Sequence, residues 1–229
     1  MKSKQTHKER VFLDGINVII VNPFTKDINL DKVLHKLRKS IPIFLFQNVE
    51  AIYIGQFKEL KEKALTAAYM DAALYITNEQ ISEENMLDDM VHEIAHSIEE
   101  LANFSMYSDD KVNREFLAKR IKLKNLILMA GFELDGQDFE KIEYDKNFDM
   151  FLYQSIGYDA LNQITPGLFC SPYGATAIRE YFANGFEFFF LKNRELVKQV
   201  SPQLYKKLVE IEKGSFLDEP DFETEDISY

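Results

Sequence analysis

The chain has 229 residues, of which 46% are hydrophobic and 13% aromatic, and its formal net charge is -11 at pH 7. The apolar and aromatic content excludes a disordered chain and suffices for one compact domain. The acidic excess argues against nucleic acid as a direct partner, because such a surface repels phosphate backbones. The single cysteine, Cys170, excludes an intramolecular disulfide.

The start of the chain carries no pattern typical of membrane insertion or cleaved export. Basic residues precede an apolar segment, but Asp14, Asn17 and Asn22 interrupt that segment, which therefore predicts a strand and not a signal peptide. No window of the sequence approaches the length of a membrane span. We predict a soluble protein without membrane contact. It is expected in the cytoplasm of a bacterium or of a phage-infected host, or exported without a cleaved signal.

The first part of the chain mixes strand and helix patterns. Segments rich in β-branched and aromatic residues predict three strands, at 11–22, 49–54 and 72–77. Between the first two, apolar residues recur at helical spacing at Leu30, Val33, Leu34 and Leu37. This order predicts a small mixed sheet with a helix packed on it.

From Ser82 onward the pattern is helical, and Ser82 has the hydroxyl side chain that favours a helix N-cap. The buried stripe of this first long helix is predicted at Leu87, Met90, Val91, Ile94, Ile98 and Leu101. Further helices are predicted at 110–130, 138–153, 176–192 and 195–213.

The predicted fold class is therefore α+β, with a small mixed N-terminal sheet and a mostly helical C-terminal half. We expect a single domain over residues 1–213. Within it, 11–100 would form the sheet and the long helix, and 101–213 a helical subdomain. The acidic segment 214–229 is predicted to be a loosely ordered tail.

The strongest chemical signal is the sequence VHEIAH on the long helix, which contains the pattern H-E-x-x-H. Because His92 and His96 are four residues apart, both imidazoles lie on one helical face and can reach one tetrahedral metal ion. Glu93 lies further round the helix, where it can accept a proton from metal-bound water. The pattern thus predicts a helix that binds a catalytic metal ion.

A structural interpretation of these residues stays open beside the catalytic one. The five-residue pattern arises by accident in about one chain in a hundred of this length. Four acids, Asp88, Asp89, Glu99 and Glu100, flank the histidines and offer either partners for the imidazole N–H groups or merely a solvated face.

A catalytic zinc site requires a third protein ligand and an open position for water. The remaining histidines, His7 and His35, lie upstream of the motif, and no third histidine follows it. A carboxylate on a second helix is therefore required, and Glu180 and Glu187 are both candidates.

Residues 173–183 (YGATAIREYFA) resemble the third-ligand segment of the anthrax lethal factor-like peptidases, a group that includes the clostridial Pro-Pro endopeptidases. In that family an active-site tyrosine precedes the glutamate ligand by seven residues, as Tyr173 precedes Glu180. Residues 92–100 (HEIAHSIEE) are similar to the family's H-E-x-G-H and the small, aliphatic and acidic residues after it. Ala95 stands where the family often has glycine, and Asn184 where it commonly has a second glutamate.

The resemblance covers two segments within residues 72–192 and implies a zinc-dependent endopeptidase that acts on a protein or peptide. It implies one zinc ion per chain, held by His92, His96 and Glu180. Glu93 would be the general base, and Tyr173 would donate a hydrogen bond to the developing oxyanion. Strand 72–77 would be the sheet edge along which the substrate binds.

Two alternatives remain. The first is a catalytically inactive binding or structural protein, which Asn184 and the absence of an export signal favour. The second is a zinc hydrolase that attacks an acyl group other than a peptide. The role of Cys170 stays open between an inhibitory thiolate at the metal and a bystander. Five phenylalanines are predicted to be core residues: Phe182, Phe186, Phe188, Phe189 and Phe190.

Overall fold

The computed structural model describes residues 9–13, 15–134 and 136–215, so the predicted acidic tail lies almost entirely outside the described residues. It contains one mixed sheet whose strands are β1 (Glu9–Leu13), β2 (Ile16–Ile20), β3 (Ala51–Gly55), β4 (Ala67–Met70) and β5 (Ala73–Thr77). Their spatial order is β1-β2-β3-β5-β4, with β2, β3 and β5 parallel and the two outer strands antiparallel to their neighbours.

The segment predicted as one strand at 11–22 forms a hairpin of two strands, β1 and β2. Gly15 lies between them with φ of +92°, a conformation that glycine adopts without the steric cost of a Cβ. The register pairs Leu13 with Ile16, so the chain reverses within two residues. The prediction of β-structure from the β-branched residues is therefore correct, but the turn divides the segment into two strands.

Helices cover one face of the sheet and continue as the C-terminal half of the chain. They are α1 (Leu30–Ser40), α2 (Lys58–Lys63), α3 (Glu83–Tyr107), α4 (Lys111–Met129), α5 (Lys146–Met150), α6 (Tyr158–Ile164), α7 (Ile178–Glu187), α8 (Arg194–Val200) and α9 (Pro202–Glu212). One cluster of buried apolar side chains runs from Ile16 in the sheet to Ile211 in the last helix. The α+β prediction is confirmed. None of the helices in the described ranges combines the length and the apolarity that a bilayer span requires.

The long helix α3 packs on α1 and on the sheet through a continuous apolar stripe. Met90, Val91, Ile94 and Ile98 are fully buried, as predicted. Leu101 was assigned to the same stripe and is 43% exposed. The stripe continues instead through Ala102, because a step of four residues from Ile98 stays on the buried face of the helix.

Three of the predicted C-terminal helices have different bounds. The one expected at 176–192 ends as an α-helix at Glu187 and continues as a π-helical turn over Phe188–Lys192. The helix expected at 138–153 begins only at Lys146, because Asp145 caps it by accepting from the backbone N–H groups of Asn147 and Phe148. Upstream, the Asp138 carboxylate accepts from Glu140 N and forms a turn. After α5 the chain continues as a π-helical turn over Phe151–Ile156.

The helix expected at 195–213 is two helices, α8 and α9. Ser201 has φ of -137° and ψ of 60°, outside the helical region, and Pro202 occupies the first turn of α9. Proline lacks a backbone N–H and disfavours the helical conformation in the residue before it, so the break falls at this pair.

The sheet edge that lies next to α3 is β4 and not β5, and the opposite edge is β1. Strand 72–77 was expected to be the edge for substrate, and this prediction is wrong, because β5 has β3 on one side and β4 on the other. The edge strand contains Ala67 and Ala68, and alanine is depleted in strands, so the sequence signal for β4 is weak.

Candidate metal centre

Helix α3 presents both motif histidines to α7, which crosses it closely. Ser82 caps α3 by accepting from the backbone N–H of Asn85 at 3.1 Å. Because the apolar stripe of α3 faces the sheet and α1, His92 and His96 emerge on the side that faces α7. Their ring centroids are 4.9 Å apart with the planes at 82°. The helix therefore sets both the spacing and the direction of the pair.

Glu180 lies in the first turn of α7 and reaches both histidines. Its Oε2 atom is 3.0 Å from Nε2 of His92 and 3.6 Å from Nε2 of His96. The residue is only 7% exposed. A negative charge is also favoured at a helix N-terminus, where backbone N–H groups are unpaired.

The other ring nitrogen of each histidine faces a different carboxylate. Nδ1 of His92 is 3.7 Å from Glu187, and Nδ1 of His96 is 3.6 Å from Glu99. Glu99 also accepts a hydrogen bond of 2.5 Å from the hydroxyl of Tyr107. A carboxylate at Nδ1 favours a proton there and leaves Nε2 free to bind a metal ion.

His92, His96 and Glu180 form a group that can hold a metal ion. One donor atom from each lies within 4.8 Å of the others. In a tetrahedral site with bonds of 2.0–2.1 Å, neighbouring donor atoms lie about 3.3 Å apart. The observed separations of 3.0 and 3.6 Å lie on either side of that value. The spacing, the burial and the outer carboxylates therefore all fit a bound ion.

The same carboxylates determine the charges of the site before a metal binds. Burial opposes protonation of His92, but the Glu180 and Glu187 carboxylates outweigh it and raise its pKa to about 10. Burial opposes protonation of His96, whereas the Glu180 and Glu99 carboxylates favour it, and the pKa of His96 is also raised. Burial likewise opposes ionisation of Glu180, yet its two histidine partners hold its pKa well below the usual range. The metal-free site is therefore an ion cluster at neutral pH.

Metal binding is expected to release protons from this cluster. A metal ion requires neutral imidazoles, whereas both histidines have raised pKa values in the metal-free protein. We expect about one to two protons to be released per ion at pH 7, and metal affinity to rise with pH up to about 10, the pKa of His92 in the metal-free site. Calorimetry in two buffers that differ in ionisation enthalpy measures the number. Equal heats in both buffers would contradict the expectation.

Glu93 stands beside the three converging residues and contacts the sheet edge. Its Oε2 accepts a hydrogen bond of 2.7 Å from the backbone N–H of Tyr69 on β4. Glu93 is 9% exposed. The carboxylate is thus anchored on the side of the site that faces β4.

Tyr173 lies in a 3₁₀ turn, Pro172–Ala175, that directly precedes α7. Its ring centroid is 5.9 Å from that of His92. Burial, with the negative charge of Glu180 nearby, raises the pKa of Tyr173 well above its usual range. Its hydroxyl therefore stays protonated and can donate a hydrogen bond into the site.

Asn184 stands at the position where the resembled family commonly has a glutamate, and its side chain bonds to Ser171. Its Oδ1 accepts from both the backbone N–H and the hydroxyl of Ser171 at 3.1 Å. The outer carboxylate at His92 comes instead from Glu187, three residues further along α7. The alternative that Glu187 is the third ligand is disfavoured, because it faces Nδ1 of His92 and pairs with Lys192.

The remaining candidates occupy other positions. Burial raises the pKa of Cys170 to about 11, so its thiol stays protonated at neutral pH, which favours the bystander interpretation. Of the four acids that flank the motif, only Glu99 lies within 4.0 Å of a histidine nitrogen. The others have different partners: Lys192 for Asp88, Gln80 for Asp89 and Asn48 for Glu100.

Some contributors to the site were missed from the sequence. Tyr69 and Tyr107 bind the Glu93 and Glu99 carboxylates. Nothing local marks Tyr69, whose role depends on strand pairing. Tyr107 is eight residues after Glu99 on the same helix, so helical periodicity indicates a shared face.

No protein-family model, no curated protein and no solved structure matches this chain. The resemblance of residues 92–100 and 173–183 to lethal factor-like peptidases therefore stays a prediction. A functional proposal for this chain must rest on the geometry of the site.

Proposed function

We propose that the chain is a zinc-dependent endopeptidase that hydrolyses internal bonds of a protein or peptide substrate. The observation that carries the proposal is the convergence of His92, His96 and Glu180, with Glu93 beside them and held at the sheet edge. Two imidazoles and one carboxylate, with both imidazoles backed by outer carboxylates, are typical of catalytic zinc. This supports the family resemblance on grounds other than the motif.

When bound, zinc supplies a Lewis acid and a water molecule whose pKa is lowered to about 7. Glu93 accepts the proton of the attacking water and delivers it to the leaving amine. Tyr173 donates its hydroxyl proton in a hydrogen bond to the oxygen on which negative charge develops. His92, His96 and Glu180 keep their positions throughout, because buried partners hold each of them.

The substrate is proposed to bind as an added strand along β4. Tyr69 directs its N–H away from β5, since that N–H bonds to Glu93. The carbonyl of Thr66, the residue before β4, instead bonds to β5 and accepts from Thr77 N at 2.8 Å. The side of β4 opposite β5 thus faces the catalytic carboxylate, and an extended peptide there lies next to Glu93.

The first experiment is elemental mass spectrometry of the purified protein, together with cleavage of a broad peptide library. The proposal predicts about one zinc ion per chain and library cleavage that a chelator abolishes and added zinc restores. A His92→Ala variant is expected to lose both zinc and cleavage. Bound zinc without cleavage of any peptide, ester or amide would favour the inactive alternative. Cleavage of esters or amides alone would favour the non-peptide hydrolase.

A Tyr173→Phe variant is expected to keep its zinc and lose about 10²–10³-fold in kcat, the usual cost of removing one oxyanion donor. The ring packs beside His92 and phenylalanine retains this packing, so KM for a short peptide should change little. Steady-state kinetics on one library-derived peptide measures both constants. A matched control is Tyr153→Phe, because Tyr153 is 58% exposed. An unchanged kcat for Tyr173→Phe would remove this residue from the mechanism.

A further inference from the structure

The segment from Leu168 to Thr176 carries Tyr173 but has little regular structure of its own. It contains only the 3₁₀ turn at Pro172–Ala175, with short-range bonds such as Thr176 N to the carbonyl of Tyr173 at 3.0 Å. Such a turn cannot by itself hold a side chain to the accuracy that catalysis requires. Its position must come from contacts with neighbouring elements.

Arg120 on α4 binds the C-terminal end of this segment, just after Tyr173. Its guanidinium donates to the carbonyl oxygens of Ala175 at 2.7 Å and Thr176 at 3.3 Å. A third bond of 3.0 Å reaches the carbonyl of Asp138. The planar group also stacks on Phe148, with its central carbon 3.7 Å from the ring centroid. The Arg120 side chain thus links α4, the turn at Asp138 and the segment before α7.

Arg120 is a buried cation whose bonds go to backbone carbonyls and not to carboxylates. The side chain is 1% exposed, and no carboxylate of the described residues forms an ion pair with it. Burial lowers its pKa to about 10, so the group is still charged at neutral pH. Burying a cation without a carboxylate in contact is costly, and the three carbonyl bonds and the more distant charge of Asp138 offset part of that cost. What the arginine adds is the fixed direction of three carbonyl bonds.

Lys119, the preceding residue of α4, binds the start of the same segment. Its ammonium group donates to the carbonyl of Leu168 at 2.5 Å and to the hydroxyl of Ser201 at 3.3 Å. It also donates to the carbonyl of Val200. Two consecutive cations of one helix therefore hold the two ends of the segment that contains Tyr173.

Asn184 on α7 binds the middle of the segment through Ser171, two residues before Tyr173. Its Oδ1 accepts from both the N–H and the hydroxyl of Ser171. The same oxygen lies 3.0 Å from the position that a Cβ on Gly174 would occupy, so the absence of a side chain at Gly174 permits this close approach. Since Asn184 is one helical turn after Glu180, it links the tyrosine segment to the helix that carries the glutamate.

We propose that Arg120 and Asn184 are positioning residues that hold the Tyr173 hydroxyl at the metal centre by fixing the backbone of 168–176 from two sides. The proposal rests on the proposed function, because a catalytic role for Tyr173 is what makes its position consequential. It also assigns a role to Asn184, where the resembled family has a carboxylate.

Hydrogen exchange monitored by mass spectrometry tests the structural part without any substrate. In Arg120→Lys and in Asn184→Ala, amides of the 168–176 peptide are expected to exchange about tenfold faster or more, since local opening becomes easier. Peptides covering His92 and His96 should exchange as in the wild type. Arg114→Lys is the matched control, because Arg114 lies on the same helix but is exposed and pairs with Asp110. Unchanged exchange in both test variants would overturn the proposal.

A double-mutant cycle with Tyr173→Phe tests the functional part. Alone, Arg120→Lys and Asn184→Ala should each lower kcat by about tenfold to a hundredfold with zinc content and KM retained. In the Tyr173→Phe background neither should lower kcat further, because the group that they position is absent. An equal loss in both backgrounds would overturn the proposal. If Arg120→Lys fails to fold, Asn184→Ala on the other helix still decides it.

The two proposals fail in different ways. A wild type that cleaves no peptide would refute the endopeptidase, while hydrogen exchange would still show whether Arg120 and Asn184 fix the segment. An active wild type whose Arg120→Lys and Asn184→Ala variants keep normal exchange and kcat would refute the positioning role alone.

Discussion

A Glu93→Gln variant is expected to lose about 10²–10⁴-fold in kcat on any peptide that the wild type cleaves, while it keeps one zinc ion per chain. Glutamine has nearly the same shape and can still accept from the N–H of Tyr69, which Glu93 now binds at 2.7 Å. What it loses is the ability to take a proton. The variant therefore separates proton transfer from metal binding and from the integrity of the sheet edge.

Two measurements make this result decisive. Elemental analysis gives the zinc content, and steady-state kinetics on one peptide gives kcat and KM for the variant and the wild type. Glu84→Gln is a suitable control, because Glu84 lies in the first turn of the same helix and is exposed, with Lys36 as its partner. Cleavage at the wild-type rate by Glu93→Gln would refute the assigned mechanism. Loss of zinc would instead mean that Glu93 supports the metal.

The sequence predicted the α+β fold class, the long helix α3 and the strands β3 and β5, because helical periodicity and β-branched or aromatic composition are local signals. That β3 and β5 are parallel was not predicted. The sequence did not predict β4, because alanine, which stands at both 67 and 68, does not favour strands. These residues form a strand only because they pair with β5. The sheet edge was also predicted wrongly. Strand order depends on contacts between distant segments, which local patterns do not contain.

The candidate site likewise has features that local sequence predicts and features that depend on contacts between distant segments. The spacing of His92 and His96 within one helix is local, so the sequence placed both on one face. The choice between Glu180 and Glu187 depends on how α7 crosses α3, and only the family resemblance favoured Glu180. The bonds of Arg120 were not predictable, because its partners are backbone carbonyls, and every residue has one.

The choice of third ligand leads to the second large effect, on metal affinity. A Glu180→Ala variant removes the atom that lies 3.0 and 3.6 Å from the two histidine nitrogens. Glu187→Gln removes only a carboxylate that faces Nδ1 of His92 from outside. Loss of such an outer partner typically costs about 10–100-fold in metal affinity. Loss of a ligand is expected to cost more than that.

Competition titration of both variants against a zinc chelator gives the two affinities, and circular dichroism verifies that each variant is folded. We expect Glu180→Ala to bind zinc more weakly than Glu187→Gln, and Glu187→Gln more weakly than the wild type. The reverse order would make Glu187 the ligand and Glu180 its support. Glu180 is the expected ligand because its one oxygen lies near Nε2 of both His92 and His96, the condition for closing a three-residue site, whereas Glu187 approaches His92 alone.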